Sequence, residues 1–120
     1  MKNATLVLGA SLKPTRYANI AIKRLRAKEI ETYAIGLQKG SVADVVIDVD
    51  KKDYKNIDTV TLYLNTQRQK DYYNYILSLH PRRVIFNPGT ENFEFSKLLE
   101  SKGVKPVVAC TLVLLSINQY

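Results

Sequence analysis

The residues best equipped for chemistry stand between a short apolar run and a helical pattern near the start of the chain. Thr5 to Leu8 is apolar, Gly9-Ala10-Ser11 follows, Lys13-Pro14-Thr15-Arg16 is polar and basic, and helical periodicity begins at Tyr17. A buried parallel strand with a glycine at its carboxyl end, leading into a helix whose start is rich in hydroxyl and basic residues, makes a site for phosphate. The free N–H groups of the helix start, the helix dipole and the nearby cations all favour an anion there. Ser11 and Thr15 also suit N-caps of that helix, a role compatible with ligand binding.

Other elements must bring partners to the same edge, and apolar runs do alternate with helical patterns along the chain. The spacing predicts strands over Ala4–Leu8, Glu31–Ile35, Val45–Val49, Val60–Leu64, Val84–Phe86 and Pro106–Ala109. Between the first two, Ala18, Ala21, Ile22 and Leu25 recur at helical spacing, with Lys23, Arg24 and Lys28 outside the stripe. Thr66 and Gln69 match a capping box for a helix whose buried stripe is Tyr72, Tyr73, Ile76 and Leu77 and which ends before Pro81. Phe95, Leu98 and Leu99 mark another helix, with Gly103 as its C-terminal cap. Lys51 to Asn56 reads as a connection, and the tail after Cys110 fits a strand or a helix.

Continuous rather than alternating hydrophobicity within the strands implies a parallel sheet covered on both faces. The expected architecture is a single α/β domain over residues 1–120: three layers around a Rossmann-like doubly wound parallel sheet, in the order 3-2-1-4-5 with the sixth strand beyond the fifth. Such sheets bind ligands outside the carboxyl ends of the strands where the order reverses, here between strands one and four. That rule gathers the loops Gly9–Tyr17, Gly36–Gly40 and Asn65–Gln67.

The dinucleotide fingerprint is incomplete. Its second and third glycines, needed for pyrophosphate approach and helix packing, are replaced by Ser11 and Pro14. After the second strand, Gly36-Leu37-Gln38-Lys39 stands where an acidic residue holds a ribose diol, and a lysine there suits phosphate better. No G-x-x-x-x-G-K-[ST] pattern occurs.

Eighteen Lys and Arg against eleven Asp and Glu give a formal charge of +7, which favours an anionic partner. Nucleic acid is one candidate, but Tyr72, Tyr73 and Tyr75 cluster on one helix instead of lining a strand face. The single cysteine, Cys110, excludes an internal disulfide and suits a reducing compartment; one Cys and one His assemble no zinc-type site. The run Ala4–Ala10 is too short for a signal-peptide core and no stretch reaches bilayer length, so a soluble cytoplasmic protein is expected, with no membrane partner.

Gly9-Ala10-Ser11 with Lys13-Pro14-Thr15-Arg16-Tyr17, the strand Thr32-Tyr33-Ala34-Ile35-Gly36, the run Phe86-Asn87-Pro88-Gly89-Thr90-Glu91-Asn92 and the ending Ala109-Cys110-Thr111-Leu112-Val113 together resemble the small stand-alone CoA-binding domain proteins. These are similar in fold to the N-terminal domain of the succinyl-CoA synthetase alpha subunit. The resemblance implies coenzyme A or an acyl-CoA as ligand. It implies phosphate contacts from Ser11, Lys13, Thr15 and Arg16, within a site that includes Gly9, Ala10, Tyr17 and Gly36, and from Lys39 after the second strand. The backbone around Leu64 and Asn65 would flank the nucleotide. The synthetase's second domain, with its phosphorylated histidine, has no counterpart here.

Asn87, Gly89, Glu91 and Asn92 form a polar turn at the same sheet edge, either as an additional site loop or as a Pro-Gly turn with Thr90 or a neighbour capping the next helix. No catalytic group and no metal ligand set stands out. Cys110 has no histidine near it in sequence, and His80, the only one, precedes Pro81 at a helix end. A small-molecule nucleotide binder is the leading reading. An NAD(P)- or other nucleotide-dependent enzyme and a basic nucleic-acid or protein interaction module stay open beside it. The acyl group, the pathway and the oligomeric state are not written in the residues.

Overall fold

A computed structural model describes residues 2–120. Seven strands, β1 (Ala4–Ala10), β2 (Thr32–Gly36), β3 (Gly40–Val42), β4 (Val45–Asp48), β5 (Ile57–Leu62), β6 (Arg83–Phe86) and β7 (Lys105–Val108), form one sheet in the order β3-β4-β2-β1-β5-β6-β7. All pairings are parallel except β3 with β4. Without β3, the order is the expected doubly wound one, with the reversal between β1 and β5.

The alternation within β1 explains its uniform hydrophobicity. Leu6 and Leu8 enter one core with Val60, Leu62 and Phe86, while Val7 and Ala10 enter a second with Ile22 and Leu25. Both faces are therefore dry, as a parallel sheet requires. Helix α1 (Tyr17–Ala27) and helix α5 (Thr111–Ser116) pack on each other, and Ile22 and Leu115 belong to the second core. Residues of α3 (Tyr73–Ser78) and α4 (Phe93–Ser101) belong to the first.

Three expectations are corrected, and one open alternative, the tail after Cys110, is decided. The sheet is mixed, because Gly40–Val42 turns back on β4 through Ala43 and Asp44, and Arg26 clamps Asp44 with bonds of 2.7 and 2.9 Å. The fourth expected strand starts earlier and stops at Leu62, so Leu64 lies in the following turn. The tail after Cys110 is helical. The helix expected from Thr66 is broken into α2 (Thr66–Gln69), a 3-10 turn (Lys70–Tyr72) and α3, and its capping box does not form. Asn65 is the N-cap, accepting from the Arg68 N–H at 2.9 Å. Gln69 is buried instead, donating to the carbonyls of Leu64 and Thr90 at 2.8 Å each. A buried amide that meets two carbonyls has stronger partners than a solvated helix start offers.

Among the described residues no helix is long and apolar enough to cross a membrane, and no group of three acidic, Cys or His side chains gathers as for a metal.

Candidate functional site

At the carboxyl ends of the central strands the backbone is built for close approach. Gly9 is the extra residue of a bulge between Leu8 and Ala10 in the pairing of β1 with β2. Its φ is +97°, and a Cβ there would lie 2.9 Å from the backbone carbonyl of Tyr63. A Cβ on Gly36 would lie 2.4 Å from the Ala10 carbonyl oxygen. The β1–α1 loop, the end of β2 and the end of β5 therefore close on one another without intervening side chains.

The loop from Ser11 to Arg16 is held from below. Asn19, 2% exposed, donates its side-chain amide to the Ser11 carbonyl at 2.9 Å, and its Oδ1 is buried without a hydrogen-bond partner. The Ser11 hydroxyl accepts from the Lys13 N–H at 3.1 Å, and the Arg16 N–H donates to the Lys13 carbonyl at 3.1 Å. Neither Ser11 nor Thr15 caps α1, contrary to expectation. The N-cap is Arg16, in extended conformation and without a side-chain bond, because the turn spends the Ser11 hydroxyl on Lys13. No acidic residue occupies the first turn of α1. Its leading N–H groups thus carry the positive end of the helix dipole with no side chain to neutralise it.

These elements border a cleft of about 550 Å³. Of the expected residues, Gly9, Ala10, Ser11, Lys13, Arg16, Tyr17, Gly36 and Leu64 line it. Thr15, Lys39 and Asn65 do not; Asn65 is occupied as the α2 cap, and Lys39 lies on the exposed loop after β2, outside the lining. Leu12, Leu37 and Gln38, within the loops expected at this edge, line the cleft as well, and residues that sequence reasoning missed complete the wall: Ala18, Ile35, Tyr63, Arg68 and Tyr72. The lining contains three cations, Lys13, Arg16 and Arg68, and no carboxylate. None of the three joins an ion pair among the described residues. Leu12, Tyr17 and Leu37 expose apolar surface beside them. A positive cleft with apolar sides accommodates a ligand that combines phosphates with a flat or apolar moiety.

Burial pushes the Tyr63 phenol up to about 12. It stays neutral and donates no negative charge to the cleft.

The Asn87–Asn92 turn does not border this cleft; its buried side chains, Asn87, Thr90 and Asn92, are used inside the protein. Asn87 donates to the Thr61 hydroxyl at 2.7 Å and the Leu62 carbonyl at 2.9 Å, and accepts from the Thr111 N–H at 2.8 Å, tying β5, β6 and α5 together. Asn92 caps α4 through the Phe95 N–H at 2.9 Å. Gly89, with φ at +90°, donates its N–H to the Glu91 carboxylate at 2.9 Å. His80 precedes β6 at the amino edge of the sheet, and Cys110, half-buried, follows β7 at the carboxyl edge outside the cleft lining.

A family model described as "CoA binding domain" matches residues 3–116. Among curated proteins no relative matches. Among solved structures, one described as an uncharacterized protein is 46% identical, with a TM-score of 0.95 over 100% of this chain and 99% of that one. A hypothetical protein from Pyrococcus horikoshii OT3 is 25% identical with a TM-score of 0.83, covering 93% of this chain and 80% of that one. A protein from Thermus thermophilus at 20% identity and a TM-score of 0.84, covering 98% and 91%, shares the fold.

Proposed function

The chain belongs to the CoA-binding domain family, and from that premise we propose that it binds coenzyme A or an acyl-CoA in the cleft at the carboxyl ends of β1, β2 and β5, as a binding protein and not as a catalyst. One observation carries the reading: three cations without an ion-pair partner among the described residues, and no carboxylate, surround a cleft that opens at the start of α1, whose first turn has no side-chain cap. In this reading the diphosphate lies on the leading N–H groups of α1, with Lys13 and Arg16 as counter-charges and Ser11 in the loop that cradles it. The glycines at positions 9 and 36 let the β1–α1 loop pack directly on the backbone at the ends of β5 and β2, which fixes the loop that would meet the phosphates. Leu12 and Leu37 offer apolar surface to the base, and Gln38 an amide to its edge.

Thermal denaturation with coenzyme A, NAD and an oligonucleotide, each at low and high salt, tests this. Coenzyme A should raise the melting temperature by mass action, since it binds the folded state alone. A shift with NAD and none with coenzyme A would sink the proposal in favour of a dinucleotide enzyme. Stabilisation by the oligonucleotide that collapses with salt would point to an interaction module.

A further inference from the structure

The cleft draws its cations from both sides of the sheet. Lys13 and Arg16 precede α1, whose buried residues fill one core, whereas Arg68 is in α2, followed by tyrosines that pack on the other. Resting on the reading above, we propose that Arg68 binds a phosphate on the ribose of the nucleotide, so that it, and not Lys39, sets the preference for coenzyme A over the form lacking the 3′-phosphate.

Position is the first support. In doubly wound sheets the nucleoside lies beyond the carboxyl end of β2, and a ribose phosphate there is met by a cation. The residues after β2 that line the cleft, Leu37 and Gln38, carry no charge, and Lys39 is outside the lining. The wall bearing Arg68 leans to that same side. Tyr72, one helical turn beyond Arg68, has the Lys51 ammonium 4.9 Å from its ring centroid, and Lys51 also donates to the Asp71 carbonyl at 2.5 Å. Lys51 belongs to the segment that leaves β4, the strand beside β2. The wall that carries Arg68 and Tyr72 thus reaches, through Tyr72, toward the β2–β4 side of the cleft.

Availability is the second. The Arg68 guanidinium forms no ion pair among the described residues, and no carboxylate lines the cleft to compete for it. Its backbone is fixed nonetheless, since its N–H is bound by Asn65 and the next residue, Gln69, is buried on two carbonyls. A planar donor fork on an anchored segment suits a phosphate dianion.

Calorimetric titration of the folded chain with coenzyme A and dephospho-coenzyme A, for the parent, Arg68→Ala, Arg68→Lys and Lys39→Ala, tests the assignment. The parent should prefer coenzyme A by about tenfold or more, the scale of one charge-assisted contact. Arg68→Ala should bring that ratio close to one while keeping the affinity for dephospho-coenzyme A; Arg68→Lys should restore part of it, and Lys39→Ala should leave it intact. A preference that survives in Arg68→Ala, vanishes in Lys39→Ala, or is absent from a parent that binds both ligands overturns this proposal alone. So does an equal loss of both ligands in Arg68→Ala. A folded parent that binds neither ligand overturns the coenzyme A reading and this assignment with it.

Discussion

The side-chain amide of Asn92 donates to Oε1 of Gln69 at 2.9 Å, joining the cap of α4 to the buried residue that anchors the helix bearing Arg68. The same Asn92 nitrogen reaches the Tyr73 hydroxyl at 2.8 Å, while its oxygen caps α4. One side chain therefore ties together α2, α3 and α4, and the Thr90 carbonyl, which accepts from the Gln69 amide at 2.8 Å, gives the Asn87–Asn92 turn a second hold on the helix bearing Arg68.

Asn92→Ala should destabilise the fold by about 2–4 kcal/mol, since it removes a helix cap and leaves a buried acceptor without its donor. Asn92→Asp keeps an oxygen to cap α4 but sets a buried anionic oxygen against Gln69 Oε1 in place of the donor, so it should also destabilise the fold measurably. Urea denaturation measures both. A loss below about 0.5 kcal/mol for Asn92→Ala, the range of ordinary surface substitutions, contradicts the described role.

The strand order and the edge at which the site forms were legible because they follow from hydrophobic pattern and the handedness of crossovers. Six of the seven strands are visible as apolar runs. β3 is not, since three residues beginning Gly40-Ser41 carry no alternation and are held by pairing with β4. The β1–α1 loop was equally legible, glycine and cations standing together in sequence. Arg68 was not. Its place in the cleft depends on Gln69 turning inward to the carbonyls of Leu64 and Thr90, a tertiary contact twenty-one residues away in the case of Thr90. Lys39 shows the converse: its sequence position after β2 is suitable, yet it lies outside the cleft lining.

The connection from Lys51 to Asn56 is fastened by Tyr54, and this fastening should depend on pH. The Tyr54 hydroxyl donates to the Asp48 carboxylate, and that bond, with Lys52 at 3.0 Å assisting, holds Asp48 below the usual carboxylate range. Tyr54 also stacks on Tyr33 of β2 with ring centroids 4.7 Å apart. A carboxyl whose folded-state pKa is depressed contributes stability above its unfolded pKa, near 4, and loses it as pH falls through the lower folded value. Tyr54→Phe should therefore cost about 1.5–3 kcal/mol at neutral pH, as for a hydrogen bond to a charged group. The gap to the parent should narrow once pH drops below about 4. Melting temperatures of both proteins from pH 7 down to pH 2.5 measure this, and a constant gap across the range would remove Asp48 from the explanation.

Gly9→Ala joins stability to the site. An L-residue at φ +97° is strained whatever the space, at a cost of about 1–3 kcal/mol. The added methyl would also meet the Tyr63 carbonyl at 2.9 Å, so the β1–α1 loop has to shift. Both a lower melting temperature and weaker binding of coenzyme A are expected. A variant that is destabilised yet binds coenzyme A with parental affinity would detach the glycine bulge from the proposed phosphate site.

The last prediction is that this chain, given an acyl-CoA and an acceptor, releases no coenzyme A above background. Acyl transfer needs a nucleophile activated by an adjacent base, and the chain offers one histidine and one cysteine. His80 stands before β6 at the amino edge, and the cleft lies at the carboxyl edge. The four residues of β6 between those edges span on the order of 13 Å, beyond the reach of an imidazole. Cys110 is at the correct edge, but it does not line the cleft, and His80 is too distant to serve it as a base. Incubation with a panel of acyl-CoAs and acceptors, with and without ATP and magnesium, checks the prediction by free-thiol release. Turnover abolished by His80→Ala or Cys110→Ser would make the protein an enzyme and place its chemistry outside the cleft described above.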